Sequence, residues 1–500
     1  MPRVICVDAV GARIGIDLDG VRDEIAEAVE RAWADAVAPG DAEPDATVRP
    51  RDADVSRTLE SLSQQVTYAA LDAGRGRVWM LHAAGVAGES GDVVVLVGPS
   101  GRGKTTASRS LGRVFGYVSD ETIAIEASGR VRAYRKPLSI IEERGRPKVQ
   151  VAPSEAGLAP LPDAPLRVRA IVMLDRDPEH SGAPVLEPVE LGDALEELVA
   201  QSSFLVHAEA PLRFIAAVAE ATGGVRRLSY AEASDLAPVV AELLDAGDGH
   251  APIVVADVVP DPVAAAASPE STDPVLPATV ERPARYSRAS WADHAELPEP
   301  DRIAILTTMA RGTGTVRVIA GVAPAIWRAA DAATLDDLVE AAVDAYGAPE
   351  GQDPRPVVLM AVAALMDAGL VVSDEPVVQR REDVAWVDRD DQVYALALGD
   401  LSSQPRMLAD AGAVIWDWLA SPSTVTQLAA RATEESGVLD PQVAADVEAF
   451  VADLVDCLFV EELPADFGAE SETVPASPAS ASDVRPVARA AEESADGEPA

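Results

Sequence analysis

Residues 91–121 read GDVVVLVGPSGRGKTTASRSLGRVFGYVSDE, and this stretch decides the fold of the segment around it. Residues 93–97 are apolar and mostly β-branched, a run that is typical of a buried strand. The strand leads into GPSGRGKT at 98–105, which fits G-x-x-x-x-G-K-[ST] at every defined position. A helix is predicted over about 104–114, and a second short strand ends at Ser119-Asp120-Glu121. This order predicts a loop that binds nucleotide phosphates.

The residue types of the loop explain the prediction. Glycines let the backbone curl so that main-chain N–H groups and a helix N-terminus point at phosphate oxygens. Lys104 would add a positive charge for the β- and γ-phosphates, and the Thr105 hydroxyl can ligate Mg²⁺. Asp120 could hold that metal or accept a proton from a substrate hydroxyl. The predicted nucleotide-binding residues are Gly98, Ser100, Gly101, Gly103, Lys104, Thr105 and Thr106.

His82 lies in the apolar run 78–86, which is predicted to be one strand directly upstream of the loop. A single histidine in an apolar run is more often an ordinary core residue than a functional one. His82 would reach the phosphate pocket only if its strand is a neighbour of strand 93–97 in the sheet. Both interpretations remain open from the sequence.

Composition limits the classes of function. The chain has 500 residues, a formal net charge of −42, 48% hydrophobic and 25% charged residues, which predicts a globular chain of two to four domains. The charge disfavours nucleic acid and anionic membranes as partners. Cys6 and Cys457 lie far apart, without the spacing of a metal site. No signal-peptide pattern or long apolar stretch occurs, so a cytoplasmic location is expected.

Changes in composition divide the chain. Residues 1–58 are predicted to form an α/β lead-in, and residues 59–245 the nucleotide-binding domain. Residues 246–282 are rich in Pro, Ala, Asp and Ser, which is typical of a linker. Residues 466–500 have a similar composition and are predicted to be a disordered tail.

An internal repeat follows the linker, with copies at 283–375 and 383–463. Each copy has a tryptophan on an apolar helix face, Trp327 and Trp416, which are predicted core residues. Each then has a threonine, Thr334 and Thr424, at a predicted helix start. Strands and about three helices predict a small winged-helix-like domain. Since neither copy has a basic recognition helix, an exposed strand edge that receives an extended peptide is favoured over DNA binding.

Two family resemblances follow from these motifs. The segment from about 59 to 244 resembles the kinase domain of HPr kinase/phosphorylase, a P-loop fold related to phosphoenolpyruvate carboxykinase. The resemblance rests on Leu81-His82-Ala83-Ala84-Gly85, on the loop 98–105 and on Val118-Ser119-Asp120-Glu121. It implies that ATP and Mg²⁺ are cofactors, that Asp120 is the catalytic base and that His82 assists it. It also implies that Thr105, Asp120 and Glu121 hold the metal.

The repeats resemble PqqD-type domains, which bind leader peptides of modified peptides and present them to an enzyme. Ala413-Val414-Ile415-Trp416 and the helix start at 424–428 carry this resemblance. The copy at 383–463 is the closer match, and the copy at 283–375 is more divergent. Together the two resemblances imply an α/β P-loop (HPr kinase-like) domain, followed by two small α+β winged-helix-like PqqD-type repeats.

Two functions remain open at this stage. The first is an ATP- and Mg²⁺-dependent kinase that phosphorylates Ser or Thr of a peptide or small protein delivered by its own repeats. The second is a peptide-binding scaffold whose nucleotide domain has lost transfer activity. The scaffold is suggested by Thr106, where the HPr kinase family usually has an acid. No nucleic-acid or membrane partner is expected, and the sequence leaves a homo-oligomer open.

Overall fold

The computed structural model describes residues 3–40, 42–51, 54–99, 101–140, 148–245, 251–255, 283–298, 301–309, 313–389, 392–399 and 403–465. Ser100, the predicted tail and all of the predicted linker except 251–255 lie outside these residues. The chain divides into two compact units, Met1–Ser373 and Asp374–Ala500. Both combine helices with β-sheets. Within the described part of the chain, no helix is long and apolar enough to cross a membrane.

A small sheet and two helices begin the first unit: β1 (Val4–Ala9), β2 (Ala12–Asp17), α1 (Asp23–Ala32), β3 (Ala46–Val48) and α2 (Val55–Gly74). Strand β2 pairs antiparallel with β1 and parallel with β3. The apolar face of α1 is buried, including Ile25 and Val29. Helix α2 runs across position 58/59, where composition suggested a domain boundary.

The rest of the nucleotide-domain segment is α/β. Its elements are β4 (Trp79–Leu81), β5 (Ala83–Ala87), β6 (Asp92–Val97), α3 (Lys104–Leu111), β7 (Gly116–Ser119), β8 (Ile123–Ile125), β9 (Val131–Arg132), β10 (Leu138–Ile140), β11 (Val149–Val151), β12 (Arg167–Arg176), β13 (Val185–Val189), α4 (Leu191–Ala200), β14 (Ser202–Ser203), α5 (Pro211–Ala221), β15 (Val225–Tyr230) and α6 (Ala237–Asp245).

A six-stranded sheet with the order β13-β15-β12-β6-β5-β7 forms the centre of this segment. The strands β15, β12 and β6 are parallel, whereas β5 is antiparallel to both β6 and β7. All residues of β6 are buried because its two faces contribute to two different hydrophobic clusters. This explains the continuous valine run, since a strand covered on both faces has no polar side.

The predicted single strand over 78–86 is wrong, because the chain changes sheets at His82. Strand β4 lies in a second sheet, of order β14-β4-β8-β9, while β5 enters the six-stranded sheet. The main-chain N–H of His82 donates to the carbonyl oxygen of Gln201 at 2.7 Å, so the junction is paired. Both strands are fully buried, and therefore the apolar pattern did not mark the break between them.

The first repeat completes this unit with β16 (Tyr286–Arg288), β17 (Asp293–Leu297), β18 (Arg302–Thr308), β19 (Gly314–Ile319), α7 (Ala323–Ala329), α8 (Leu335–Tyr346), α9 (Arg355–Asp367) and β20 (Val371–Ser373). Its sheet β17-β18-β19 is covered on both faces. One face packs with the helices of the repeat, and the other joins the core that contains α4 and α5. Asp293 ties the two parts together by accepting from the main-chain N–H of Leu212, at 2.8 Å, and from Arg213.

The second unit repeats this order of elements with β21 (Val377–Arg380), β22 (Val384–Arg389), β23 (Gln392–Ala397), β24 (Arg406–Ala409), α10 (Ala411–Trp418), β25 (Ser423–Thr424), α11 (Val425–Ser436), α12 (Pro441–Asp456) and β26 (Val460–Leu463). The predicted N-caps Thr334 and Thr424 are confirmed, and each forms a capping box. Trp327 and Trp416 are buried, as predicted for core residues. An arginine, Arg288 or Arg380, lies over each tryptophan ring.

Candidate functional site

The loop after β6 has the backbone shape that its glycines suggested. Gly101 and Gly103 have φ angles of +87° and +91°, a region that other residues rarely adopt. Gly103 is the N-cap of α3. A Cβ atom on Gly103 would lie 3.1 Å from the hydroxyl of Tyr230, whereas one on Gly101 would meet no described atom within 4 Å. Gly101 therefore faces open space at the helix N-terminus.

Lys104 is folded back onto this loop. Its ammonium group donates to the carbonyl oxygen of Gly98 at 2.5 Å, and the residue is only 7% exposed. Burial lowers the pKa of Lys104, and the charge of Glu197 opposes that shift. The lysine is therefore a partly desolvated cation beside the glycine-rich turn.

The acidic pair Asp120-Glu121 follows β7 in a turn that Ser119 holds. The Ser119 hydroxyl accepts from the main-chain N–H groups of Glu121 and Thr122, both at 3.2 Å. Oδ1 of Asp120 is buried and has no hydrogen-bond partner of good geometry among the described residues. Glu121 differs, because its Oε2 lies 2.8 Å from Nζ of Lys136. The two adjacent acids thus have unlike surroundings.

His82 lies where these groups meet. It directly precedes β5, which pairs on one side with the loop strand β6 and on the other with the acid-bearing strand β7. Burial lowers the pKa of His82, with a further contribution from the charge of Lys104. A hydrogen bond to the main chain of Glu121 and the charges of Glu121 and Asp120 oppose the shift. His82 therefore lies near Lys104 and the acidic pair, which is one of the two interpretations that the sequence left open.

The lowered pKa of His82 predicts a pH dependence of stability. Its neutral form stabilises the fold above its unfolded pKa of about 6.5, and that contribution is lost as the pH falls through the lower folded pKa. We expect the difference in unfolding free energy between the wild type and His82→Asn to shrink between about pH 7.5 and pH 5.5. Urea denaturation at both pH values measures it. The exposed His207→Asn is the matched control, and an equal pH effect there would contradict the prediction.

Basic and aromatic groups surround the acids. Burial is the main reason that the pKa of Tyr117 is raised, and the nearby charge of Asp120 adds to it.

The exposed Thr105 and Thr106 line a cavity of about 290 Å³ together with Arg109, Ser110 and Arg113. Thr106 therefore faces a cavity with two arginines beside the loop. A larger cavity of about 520 Å³, near Trp79 and Phe214, contains none of the predicted site residues.

Sequence reasoning missed two residues of this site. Lys136 belongs to the basic stretch Arg135-Lys136-Pro137, for which the sequence leaves a phosphate or substrate contact and a solvated turn open, and it forms the ion pair with Glu121. Glu197 of α4 lies close enough to Lys104, Arg102 and Arg227 to feel their charges, while burial raises its pKa. Its Oε1 is buried without a hydrogen-bond partner in the described chain. The sequence held one signal for Glu197, an acid placed among the apolar residues of an amphipathic helix. Its neighbours Ala194, Leu198 and Val199 are buried in the structure.

Comparison with known proteins assigns one part of the chain. Residues 402–460 match the family model described as Coenzyme PQQ synthesis protein D (PqqD). This segment is a PqqD domain. It begins just before β24 and ends at the start of β26, so it comprises the helices α10, α11 and α12 of the second unit.

Comparison with solved structures gives a weak likeness. One similar solved structure is "Structure of the Hpr(Ser) kinase/phosphatase from Coxiella burnetii", with 13% sequence identity and a TM-score of 0.19. The match covers 33% of this chain and 93% of that chain. At this TM-score the likeness carries no argument about fold or activity. No curated protein sequence matches the chain.

Proposed function

We propose that the protein is an ATP- and Mg²⁺-dependent kinase that phosphorylates a Ser or Thr of a peptide bound by its PqqD domain. The observation that supports this most is the meeting of His82, Lys104 and Asp120 at one end of β5, β6 and β7. Such a cluster combines a cation for phosphate groups with a carboxylate within the same small region. Phosphoryl transfer needs little more than positioning and charge stabilisation.

The residues present fit a bound nucleotide. Gly101 leaves open space at the N-terminus of α3, where phosphate groups are favoured by free N–H donors and the helix dipole. Lys104 can exchange the carbonyl of Gly98 for a phosphate oxygen, and Thr105 is exposed at the first turn of the helix. When bound, ATP supplies the phosphoryl group and Mg²⁺ offsets its charge. Glu121 and Asp120 would be the acids nearest to the metal.

Asp120 is the proposed general base. A carboxylate whose buried Oδ1 has no partner of good hydrogen-bond geometry among the described residues can accept a proton from a Ser or Thr hydroxyl. His82, kept neutral by burial, lies beside Asp120 without adding a competing positive charge. The ion pair with Lys136 holds Glu121 away from the same role. Asp120 would thus accept the proton, and Glu121 would bind the metal.

The PqqD domain would bring the substrate to this site. The sheet β22-β23-β24 of the second unit, whose strand β24 lies within the PqqD match, has β22 and β24 as its edge strands, and an extended peptide can extend such a sheet by main-chain hydrogen bonds. Tethering the peptide to the same chain as the kinase raises its effective concentration at the site. We further propose that the first repeat is a divergent PqqD-type domain. Its sheet is covered by α4 and α5, which suits a structural role.

A second candidate function is a scaffold that binds nucleotide and peptide but transfers nothing. Thr106 favours it, because the acid that usually follows the hydroxyl residue in HPr kinases is replaced. Incubation with γ-labelled ATP, Mg²⁺ and candidate peptides that contain Ser or Thr separates the two functions. The kinase predicts labelled phosphate on a Ser or Thr of one peptide. ATP binding with no labelled peptide supports the scaffold and rejects the kinase.

Glu197 provides a prediction about nucleotide affinity. Its carboxylate competes with phosphate groups for Lys104 and Arg102, so we expect Glu197→Gln to bind ATP about threefold to tenfold more tightly. Calorimetric titration with a non-hydrolysable ATP analogue measures this. Glu196→Gln, on the exposed side of the same helix, is the matched control. Weaker binding by the Glu197 variant would mean that the carboxylate itself holds the nucleotide or its metal.

A further inference from the structure

The outer face of the sheet β22-β23-β24 is an unusual surface for this chain. The face is defined by alternate strand residues that pair across the sheet, namely Ala385, Val387, Arg389, Gln392, Tyr394, Leu396, Met407 and Ala409. The opposite face packs with the helices and contains the buried Val393, Ala395 and Leu408. None of these eight outer-face residues is acidic, although residues 374–465 carry nineteen acidic side chains and five arginines.

Its apolar side chains are exposed in one continuous row. Val387, Tyr394 and Met407 lie directly opposite one another on the three strands and are 57%, 39% and 54% exposed. The Tyr394 hydroxyl donates to the Gln392 side chain at 2.9 Å, so the ring can be covered without leaving its hydroxyl unpaired. Single exposed apolar residues are ordinary, but a contiguous apolar row without acids indicates an interface.

The first repeat shows what happens to the corresponding face. The central strands of the two repeats, β18 and β23, can be aligned on their buried residues Ile303 and Val393. In this alignment Ala304 corresponds to Tyr394, and Leu306 corresponds to Leu396. Ala304 and Leu306 are completely buried against the core that contains α4 and α5. The same architecture therefore has a covered outer face in one copy and an exposed one in the other.

We propose that this face binds the same face of a second copy of the chain, which forms a two-fold symmetric dimer. A two-fold axis that lies between the two facing sheets and parallel to β23 places Tyr394 of one copy against Tyr394 of the other. It also places Val387 of each copy against Met407 of the other copy. The compact, branched side chain of Val387 then contacts the long, flexible side chain of Met407, and the two shapes are complementary. The lack of acids removes like-charge contacts at the centre. This dimer goes beyond the proposed kinase activity and does not depend on it.

Size and charge predict how the dimer behaves. The row is smaller than a standard interface, so we expect a dissociation constant on the order of ten micromolar. Each chain carries a net charge of −42, and two such chains repel each other through water. Added salt screens that repulsion but leaves apolar contact intact, so the dimer should strengthen with salt. A dimer held by ion pairs would weaken instead.

Sedimentation velocity of the full chain tests the proposal between about 1 and 200 µM, at low and at moderate salt. Tyr394→Glu should weaken dimerisation at least tenfold. Tyr68→Glu, the same change at a tyrosine 68% exposed outside this face, should have no effect. A monomer at every concentration overturns the proposal and leaves the face to a different protein. A dimer that Tyr394→Glu does not weaken also overturns it.

A charge-complementation experiment tests the two-fold arrangement itself. Val387→Lys and Met407→Glu each place an unpaired charge in the interface and should be monomeric alone. Mixed together, they should form a heterodimer, because one contact becomes a Lys–Glu pair and the other stays Val387 on Met407. Val387 and Met407 are both exposed, and circular dichroism checks that the variants are folded. Failure of the mixture to dimerise, with both variants folded, rejects the proposed pairing.

Discussion

Asp120→Asn is expected to reduce phosphoryl transfer about a thousandfold while leaving ATP affinity almost unchanged. Asparagine keeps the size of the side chain and its place after Ser119, but it cannot accept the substrate proton. Asparagine also keeps a side-chain oxygen that can accept from the Tyr117 hydroxyl, so the contact between Asp120 and Tyr117 is preserved. Transfer of labelled phosphate to the peptide measures the rate, and calorimetry with an ATP analogue measures binding.

The control for this variant is Asp163→Asn, an exposed aspartate of the same segment, which should behave as the wild type. If Asp120→Asn loses ATP affinity as strongly as it loses transfer, Asp120 acts mainly through the metal. If both transfer and binding persist, the carboxylate has no part in the reaction, and the base is another residue.

Lys104→Ala is expected to weaken ATP binding at least about thirtyfold, because it removes a buried charge from the phosphate site. Lys104→Met, which keeps the apolar length of the side chain, should weaken binding equally. That agreement would separate a lost charge from a lost packing contact. Equilibrium titration with a fluorescent ATP analogue measures both variants.

Lys148 offers a matched comparison, since it is an exposed lysine of the same segment. Lys148→Ala should bind ATP as the wild type does. Unchanged affinity in both Lys104 variants would remove the basis for a nucleotide site at this loop, and with it the kinase proposal.

Local patterns allowed much of this structure to be predicted. The strand at 93–97, the helix at 104 and the buried tryptophans follow from continuous apolar runs and helical periodicity, which depend on neighbouring residues only. Thr334 and Thr424 were recognisable as N-caps because the capping residues lie within three positions of one another. For His82 the sequence left a core position and a position near the loop both open, because strand order along the chain does not fix which strands are neighbours in a sheet.

Contacts between distant segments could not be predicted in the same way. Lys136 and Glu197 reach the site from elements that follow it by many residues, and a single sequence gives no measure of their proximity. The change of sheet at His82 was hidden because both strands are equally buried. The outer face of the three-stranded sheet is buried in the first repeat and exposed in the second. This difference depends on tertiary packing, since only the structure shows which face α4 and α5 cover.

The packing of β17-β18-β19 against α4 and α5 has a consequence for shortened forms of the protein. Arg302 pairs with Asp193 at 2.9 Å, and Asp293 accepts from the first turn of α5. The core of the nucleotide-domain segment is therefore complete only when the first repeat is attached. A chain cut at Asp245 would expose aliphatic surface and should aggregate on expression. None of the described residues that match PqqD belongs to this core, so their removal should not cause the same aggregation.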